Sequence, residues 1–471
     1  MSRARTYPLV ALCVAALSAC TMGPAWQRPA VALPAAYTSA AAFTPAEQAQ
    51  TSLSPWWETL GDPELNQWVN KALLESPQTR IAAARVEEAD ALLRQAGASL
   101  FPEVNLALGG VNNRVTQLGT TPVPAGVPVV RSDRVLNLST SYELDVWGRV
   151  RSADQAARAQ ALASRYAQAT VHTTLAAALV QSWVNLRSLD AQLALLQNNL
   201  QTRQDTLAIT QRRQAGGLAS QLDVQAAQPA VLSLQSQIAD TQRQRSLAQN
   251  LVAVLVNQPG LVVAARSDLP LAPNVPPGLP SALLEARPDV REAQAQLMGA
   301  NARIGVARAA LFPTLSLTAA TGAQSADLSN LLKPEAFTFA LGLNILAPIF
   351  DAGRRDAVVA QVSAQQRQLA ANYQQVVLGA LRDVRDALVS TEQWQASIAV
   401  LTQQRDALSD NLRLTELREA SGYSASAQVL DAKRNLNDAE LVLVRARAAR
   451  LAAHVDLVKA LGGGWPGSVA P

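Results

Sequence analysis

Two stretches decide how the sequence is read: Arg213 to Gln228, RQAGGLASQLDVQAAQ, and Arg418 to Lys433, REASGYSASAQVLDAK. Gly217 and Gly422, Val224 and Val429, and Ala227 and Ala432 stand in step, 205 residues apart. Two more matches flank them. Gly148-Arg149 returns as Gly353-Arg354 at the same offset, and Phe101-Pro102 returns as Phe312-Pro313 at an offset of 211. The chain is therefore a tandem duplication of a unit of roughly 200 residues, a period too long for a solenoid.

Upstream of each quoted stretch the apolar residues step mostly by three and four. They fall at 175, 179, 183, 186, 189, 193, 196 and 200, and again at 369, 373, 376, 380, 384, 388, 394, 398 and 401. This period predicts helices over 152–215 and 354–420, each ~95–100 Å long at 1.5 Å per residue. Gly216-Gly217 and Gly422 end them. Return helices are expected over about 220–257 and 425–461, so each repeat holds a long antiparallel coiled-coil hairpin. An earlier helix is expected at about 80–100.

Between helices the period drops to two. Leu136, Leu138, Thr140, Tyr142 and Leu144 alternate with Asn137, Ser139, Ser141, Glu143 and Asp145. Phe337, Phe339, Leu341, Leu343 and Ile345 alternate with Thr338, Ala340, Gly342 and Asn344. Val104, Leu106 and Leu108 follow the same rhythm, and 314–322 does so more weakly. Apolar-out and polar-in alternation over ~10 residues belongs to a transmembrane barrel strand; a soluble hairpin covering a core would need another sheet to pack upon. Loops are expected at 116–134 and 323–336. Four strands cannot close a barrel, and an open edge in lipid leaves backbone groups unsatisfied, so the strands require further copies of the chain. Three copies give twelve.

Composition agrees. Of 471 residues 49% are hydrophobic but only 4% aromatic, which suits long helices packed side by side. A net charge of +4 carries no nucleic-acid signature. No G-x-x-x-x-G-K, G-x-S-x-G or H-E-x-x-H occurs, so neither a catalytic residue nor a cofactor is expected. His172 and His454, the two histidines, lack partners at metal-ligand spacing, and no metal site is expected.

The amino terminus reads as an address. Arg3 and Arg5 precede an apolar run from Leu9 to Leu17 that is too short to span a bilayer. Leu17-Ser18-Ala19-Cys20 resembles a bacterial lipobox, with Cys20 as the expected acceptor of N-palmitoyl and S-diacylglycerol groups. Thr21, rather than Asp, points to the outer membrane. Pro24, Pro29, Pro34, Pro45 and Pro55 make the next stretch an extended tether, and Trp56-Trp57 either packs it onto the body or lies at a membrane interface.

Further residues carry a family resemblance. Cys20-Thr21-Met22-Gly23-Pro24, Trp56-Trp57 and Gly61-Asp62-Pro63-Glu64-Leu65 resemble the start of outer-membrane efflux lipoproteins. Arg287-Pro288-Asp289-Val290, Ala300 to Ala307 (ANARIGVA) and Leu311-Phe312-Pro313 are more specific, and Ala460 to Trp465 (ALGGGW) resembles their ending. The chain is similar to the TolC-like family, in its NodT-type lipoprotein branch. That resemblance implies a homotrimer with one twelve-stranded barrel and a twelve-helix periplasmic tunnel, mainly α with membrane β. It implies partners as well: a periplasmic adaptor, an inner-membrane efflux pump and outer-membrane lipid. The expected function is the passive exit duct for drugs or other toxic compounds; the alternative is a lipid-anchored periplasmic adaptor or a structural coiled-coil protein.

The expected organisation is a signal peptide at 1–19, a lipidated tether at 20–60 and a first repeat at 61–265, with a β-hairpin at about 103–147 and a helical hairpin at about 150–257. A Pro-rich linker at 266–280 leads to a second repeat at 281–462, with hairpins at about 313–348 and 354–461, and a tail at 463–471. By family position, Asp431 falls in the acidic ring of a periplasmic gate. Ala427 stands where relatives often have a bulky apolar residue, and Gln428 where an acid is frequent. Ser424 occupies the place of an arginine that braces the closed tip. The two hairpin tips, Gly216, Gly217, Leu218, Ala219 and Ser220 with Gly422, Tyr423, Ser424 and Ala425, are the expected adaptor contacts.

Overall fold

A computed structural model describes residues 22–30, 55–118, 120, 123–124, 126–273 and 287–463. The signal peptide, Cys20, most of the tether, residues 274–280 of the linker and residues 464–471 lie outside the described residues. Two short helices, α1 (Pro63–Glu75) and α2 (Pro77–Ala98), precede strands β1 (Glu103–Arg114) and β2 (Val130–Leu144). Helices α3 (Arg149–Ala215) and α4 (Gln221–Leu255) complete the first repeat. The second runs α5 (Pro288–Ala309), β3 (Thr314–Ser325), β4 (Phe337–Leu346), α6 (Arg354–Ala420) and α7 (Ser426–Ala460). The duplication is numerical: α3 and α6 have 67 residues each, α4 and α7 have 35 each, and β1 and β3 have 12 each.

The expected loops are shorter than the sequence suggests. β2 begins at Val130, so 130–134 pair instead of looping, and β3 runs on to Ser325. Short 3-10 turns at Leu328–Asn330 and Pro334–Ala336 occupy part of the second loop. Main-chain pairing overrides the polar composition of these segments because each extra rung satisfies two buried-prone backbone groups.

The chain divides into two compact units. One comprises residues 1–29, 87–163 and 293–373; the other comprises 30–86, 164–292 and 374–471. The first unit holds the antiparallel sheet, ordered β1-β2-β3-β4, with β1 and β4 as edges. Register carries the alternation across all four strands. Val104, Thr140, Ala319 and Leu341 share one row, and Leu106, Leu138, Thr321 and Phe339 the next. Ala107, Asn137, Gly322 and Thr338 form a row on the opposite face. The apolar face is uncovered, with Leu106 71% and Leu341 80% exposed. Gly322 meets a tight spot: an added Cβ would lie 1.9 Å from the Leu136 carbonyl oxygen. Among the described residues no helix is long and apolar enough to cross a membrane.

Each strand pair feeds a capped helix. Asp145, just after β2, accepts from the N–H groups of Val150 and Arg151 at 2.9 Å, and Asp351 accepts from those of Gly353 and Arg355. Residues of the amino-terminal segment dock in the same unit: Asn301 Nδ2 donates to the Pro24 carbonyl at 2.9 Å and Arg28 Nε to Tyr373 Oη at 2.9 Å.

The second unit contains an extensive core. Trp56, Trp57, Leu65, Trp68 and Val69 pack against Leu179, Val180, Trp183 and Leu186 of α3, with Val252 of α4 and Leu451 and Val455 of α7. Trp56-Trp57 therefore packs inward, and a membrane-interface role for it is excluded by burial. Farther along, Leu193, Leu196, Leu234, Ile238 and Leu441 form the coiled-coil seam, a packing layer built from the three-and-four spacing.

Candidate functional site

Three features hold the candidate chemistry: the bare apolar face of the sheet, the two hairpin tips, and a buried ionic cluster. The tips are built by the same backbone device. At the first, Leu218 N–H reaches back to the Arg213 carbonyl at 2.8 Å and Gly217 N–H to Gln214. At the second, Tyr423 N–H reaches the Arg418 carbonyl at 2.8 Å and Gly422 N–H the Glu419 carbonyl. Both closures need a left-handed residue, and Gly217 (φ 72°) and Gly422 (φ 75°) supply it. Leu218 and Tyr423 then project into solvent.

The two re-entries differ. Ser220 and Asp223 form a capping box at the start of α4, and the Ser220 N–H and hydroxyl hold the Asp223 carboxyl below its usual range. Ala425 begins α7 with no side-chain acceptor, and Ser424 Oγ bonds Gln428 Oε1 instead. A missing cap costs about 1 kcal/mol. The second tip is thus the less secured, and a hollow of about 420 Å³ opens beside it, lined by Asn411, Leu414, Leu417, Arg418 and Tyr423.

The candidate gate residues lie on one exposed stripe of α7. Ala427, Asp431, Arg434 and Asp438 recur at helical spacing and face away from buried Val429 and Ala432. Gln428 is exposed next to them. Asp431 is not a bare charge: Arg434 pairs with it at 3.3 Å. The sequence reading missed this pair, although i,i+3 spacing announces it. Lys433 ties α7 to α6 through Glu416 at 3.1 Å.

The ionic cluster was also missed, because its members are spread over 200 residues of sequence. Arg187 is 1% exposed and reaches Asp62 at 3.1 Å, Glu64 at 3.6 Å and Asp190 at 4.0 Å. Asp190 receives Arg245 at 2.5 Å and the Arg266 N–H, and Arg266 also reaches Asp62 at 3.5 Å. Burial alone would raise the Asp62 carboxyl. Hydrogen bonds from Leu65, Arg187 and Glu64 and the charge of Arg187 outweigh it and hold the group below its usual range. The cluster fastens α1 to α3, α4 and the 260s segment; Asp62 also caps α1.

His172 and His454 are pushed down by burial, His454 further by Arg450. Among the described residues no His, Cys, Asp or Glu group has the arrangement to hold a metal ion.

The outer membrane efflux protein profile matches residues 68–258 and 279–463, one segment in each repeat. The chain belongs to the outer membrane efflux protein family. It is 32% identical over 469 residues to the probable efflux pump outer membrane protein TtgC of Pseudomonas putida, covering 98% of this chain and 96% of that one. It is 33% identical over 463 residues to the pyoverdine export outer membrane protein OpmQ of Pseudomonas aeruginosa, covering 97% and 96%. A crystal structure of CusC matches with a TM-score of 0.84 at 29% identity, covering 94% of this chain and all of that one. As an outer membrane efflux protein, the chain is a TolC-like channel component of an efflux system, located in the outer membrane with a periplasmic extension. Its relatives are channel proteins rather than enzymes, and the adaptor alternative gives way to the family match.

Proposed function

We propose that three copies of this outer membrane efflux protein close a twelve-stranded barrel and form a periplasmic duct of twelve helices. The observation that carries this is the sheet itself. Its apolar face is uncovered and both its edges are unpaired, a combination that neither water nor lipid tolerates in a single chain. Sheet rows of Asn105, Ser139, Asn137 and Asn344 then face an aqueous lumen, and the Leu, Val and Phe rows face lipid. The duct conducts; no bond is made or broken in it.

The remaining assignments follow from that arrangement. Cys20, once acylated, supplies a second hold on the membrane, and residues 20–60 serve as the tether. The repeats at 61–265 and 281–462 each supply one β-hairpin and one helical hairpin. The glycine-closed tips at 216–220 and 422–425 meet a periplasmic adaptor that delivers cargo from an inner-membrane pump. The stripe of Ala427, Asp431 and Arg434, with Gln428 beside it, lines the periplasmic narrowing. With alanine at 427 and Asp431 paired to Arg434, the narrowing is small-sided and weakly charged, and the uncapped start of α7 makes it the tip that unwinds first.

Outer-membrane fractions run with and without heating test the proposal. Trimer-sized migration that collapses to monomer on boiling, together with discrete conductance steps in planar bilayers, is expected. Monomeric migration without heating, with no conductance, would overturn it.

A further inference from the structure

The internal repeat determines how neighbouring copies pair. In the β1–β2 hairpin Glu103 lies opposite Ser141, and in the β3–β4 hairpin Thr314 lies opposite Leu346. The second hairpin is therefore the first moved by 211 residues on one strand and 205 on the other. These are the offsets at which Phe101-Pro102 and Gly148-Arg149 recur in the sequence. The hairpins are register-equivalent, so the β2–β3 seam joins two equivalent units. There, paired residue numbers total 459: Arg134 with Ser325, Asn137 with Gly322, Leu144 with Leu315.

We infer that the seam between subunits repeats this internal seam, so that β4 of one copy pairs with β1 of the next wherever the residue numbers total 453. The figure follows by moving the β2 residue forward 205 and the β3 residue back 211. It places Leu346 opposite Ala107, Asn344 opposite Gly109, Gly342 opposite Val111 and Ala340 opposite Asn113. This rests on the proposed barrel and specifies the surface that closes it.

Three observations support the register. Both edge strands are exposed along almost their whole length, whereas β2 and β3 are half-covered. The parity is right: Ile345 falls opposite Leu108 and Leu343 opposite Gly110, which continues the apolar face around the barrel. A slip of one residue would set Leu108 among Asn344 and its polar neighbours. Aromatic rings at the foot of the sheet point the same way. Trp147 and Phe312 obey the internal total of 459 and stack at 4.8 Å, with Trp147 Nε1 donating to the Pro313 carbonyl at 2.7 Å. Phe101 and Phe350, at the corresponding ends of β1 and β4, are 72% and 89% exposed in the single chain. The inferred seam brings them onto neighbouring rungs, within diagonal reach of one another.

Cysteine pairs read the register directly, because directly opposite residues are close enough for a disulfide and diagonal ones are not. Asn344→Cys with Gly109→Cys, and separately Ala340→Cys with Asn113→Cys, would be expressed in cells and oxidised in outer-membrane fractions. The unsubstituted chain, whose only cysteines are Cys13 and Cys20, is the blank. Ser139→Cys with Ala320→Cys, opposite one another in the internal seam, is the control that closes within one chain. Expected are covalent dimers and trimers on non-reducing denaturing gels from both test pairs, and none from Asn344→Cys with Ala107→Cys or Val111→Cys. Bridging by either slipped pair while the test pairs stay silent would overturn the register and leave the barrel standing. Heat-modifiable trimers in which no pair bridges would overturn the inferred seam. Failure of the unsubstituted chain to form trimers would instead bring down the barrel, and the seam with it.

Discussion

Replacing Arg187 with methionine tests whether the buried ionic cluster holds the amino-terminal helix to the hairpin. Methionine keeps much of the apolar volume beside Trp183 and removes the charge. At the 3.1 Å separation from Asp62, two unit charges interact by about 5 kcal/mol at an effective dielectric of 20. Deleting one partner of a buried pair costs about 3–5 kcal/mol when the other is left uncompensated, and Asp62 would keep only the partly exposed Arg266 at 3.5 Å. Taking ~4 kcal/mol, and ~2.1 cal/mol/K of unfolding entropy per residue, a chain of this length should melt ~4 °C lower if it unfolds as one unit. Asp62→Asn should restore part of the loss in the double variant, because asparagine still caps α1 and leaves no unpaired charge. Acidity supplies a second readout. The folded Asp62 carboxyl lies below its unfolded value, so its contribution is present above an unfolded pKa of ~3.9 and is lost as pH falls through the folded value. Without Arg187 burial is less opposed, the folded value rises, and the gap between wild type and variant should narrow on acidification below ~4. Melting followed by far-ultraviolet circular dichroism in detergent, at pH 7 and 3.5, measures both. A shift under ~1 °C at pH 7, or a gap indifferent to pH, would refute the clamp.

Leu341→Arg or Leu138→Arg places a charge on the lipid face at ~2–4 kcal/mol near the midplane and should lower trimer yield in membrane fractions. Asn344→Arg or Asn137→Arg should assemble normally, and equal defects in both sets would contradict the assigned faces. Asp431→Ala should lower cation selectivity in planar bilayers and leave Arg434 unopposed. Arg434→Ala should raise it, and the control Asp438→Ala, two turns beyond Asp431 and outside the narrowing, should change little; if the Asp431 and Arg434 variants both leave reversal potentials unchanged, the narrowing lies elsewhere. Cys20→Ser should abolish palmitate labelling, which persistence of label would refute.

Much of the molecule was legible in the residues alone. Two periods, 3.6 and 2, are local consequences of helix and strand geometry, so element types and the apolar face of each strand could be read directly. Glycines at 217 and 422 marked the turns because few other residues tolerate a positive φ. The duplication was legible because equivalent positions keep equivalent residues. The expectation of more than one chain also came from the sequence, since four strands leave two open edges. Strand ends were less legible: 130–134 are polar and looked like loop, but pairing extends wherever a partner strand is present. The Arg187 cluster and the inward packing of Trp56-Trp57 came only from the tertiary structure. A buried charge is defined by what surrounds it: Arg187 and Asp190 are neighbours on α3, but Asp62, Arg245 and Arg266 join them only after α1, α4 and the 260s segment pack against that helix. Register, too, came from the fold. An alternating strand specifies which residues share a face but not which residue lies opposite, and that needs the partner strand in place.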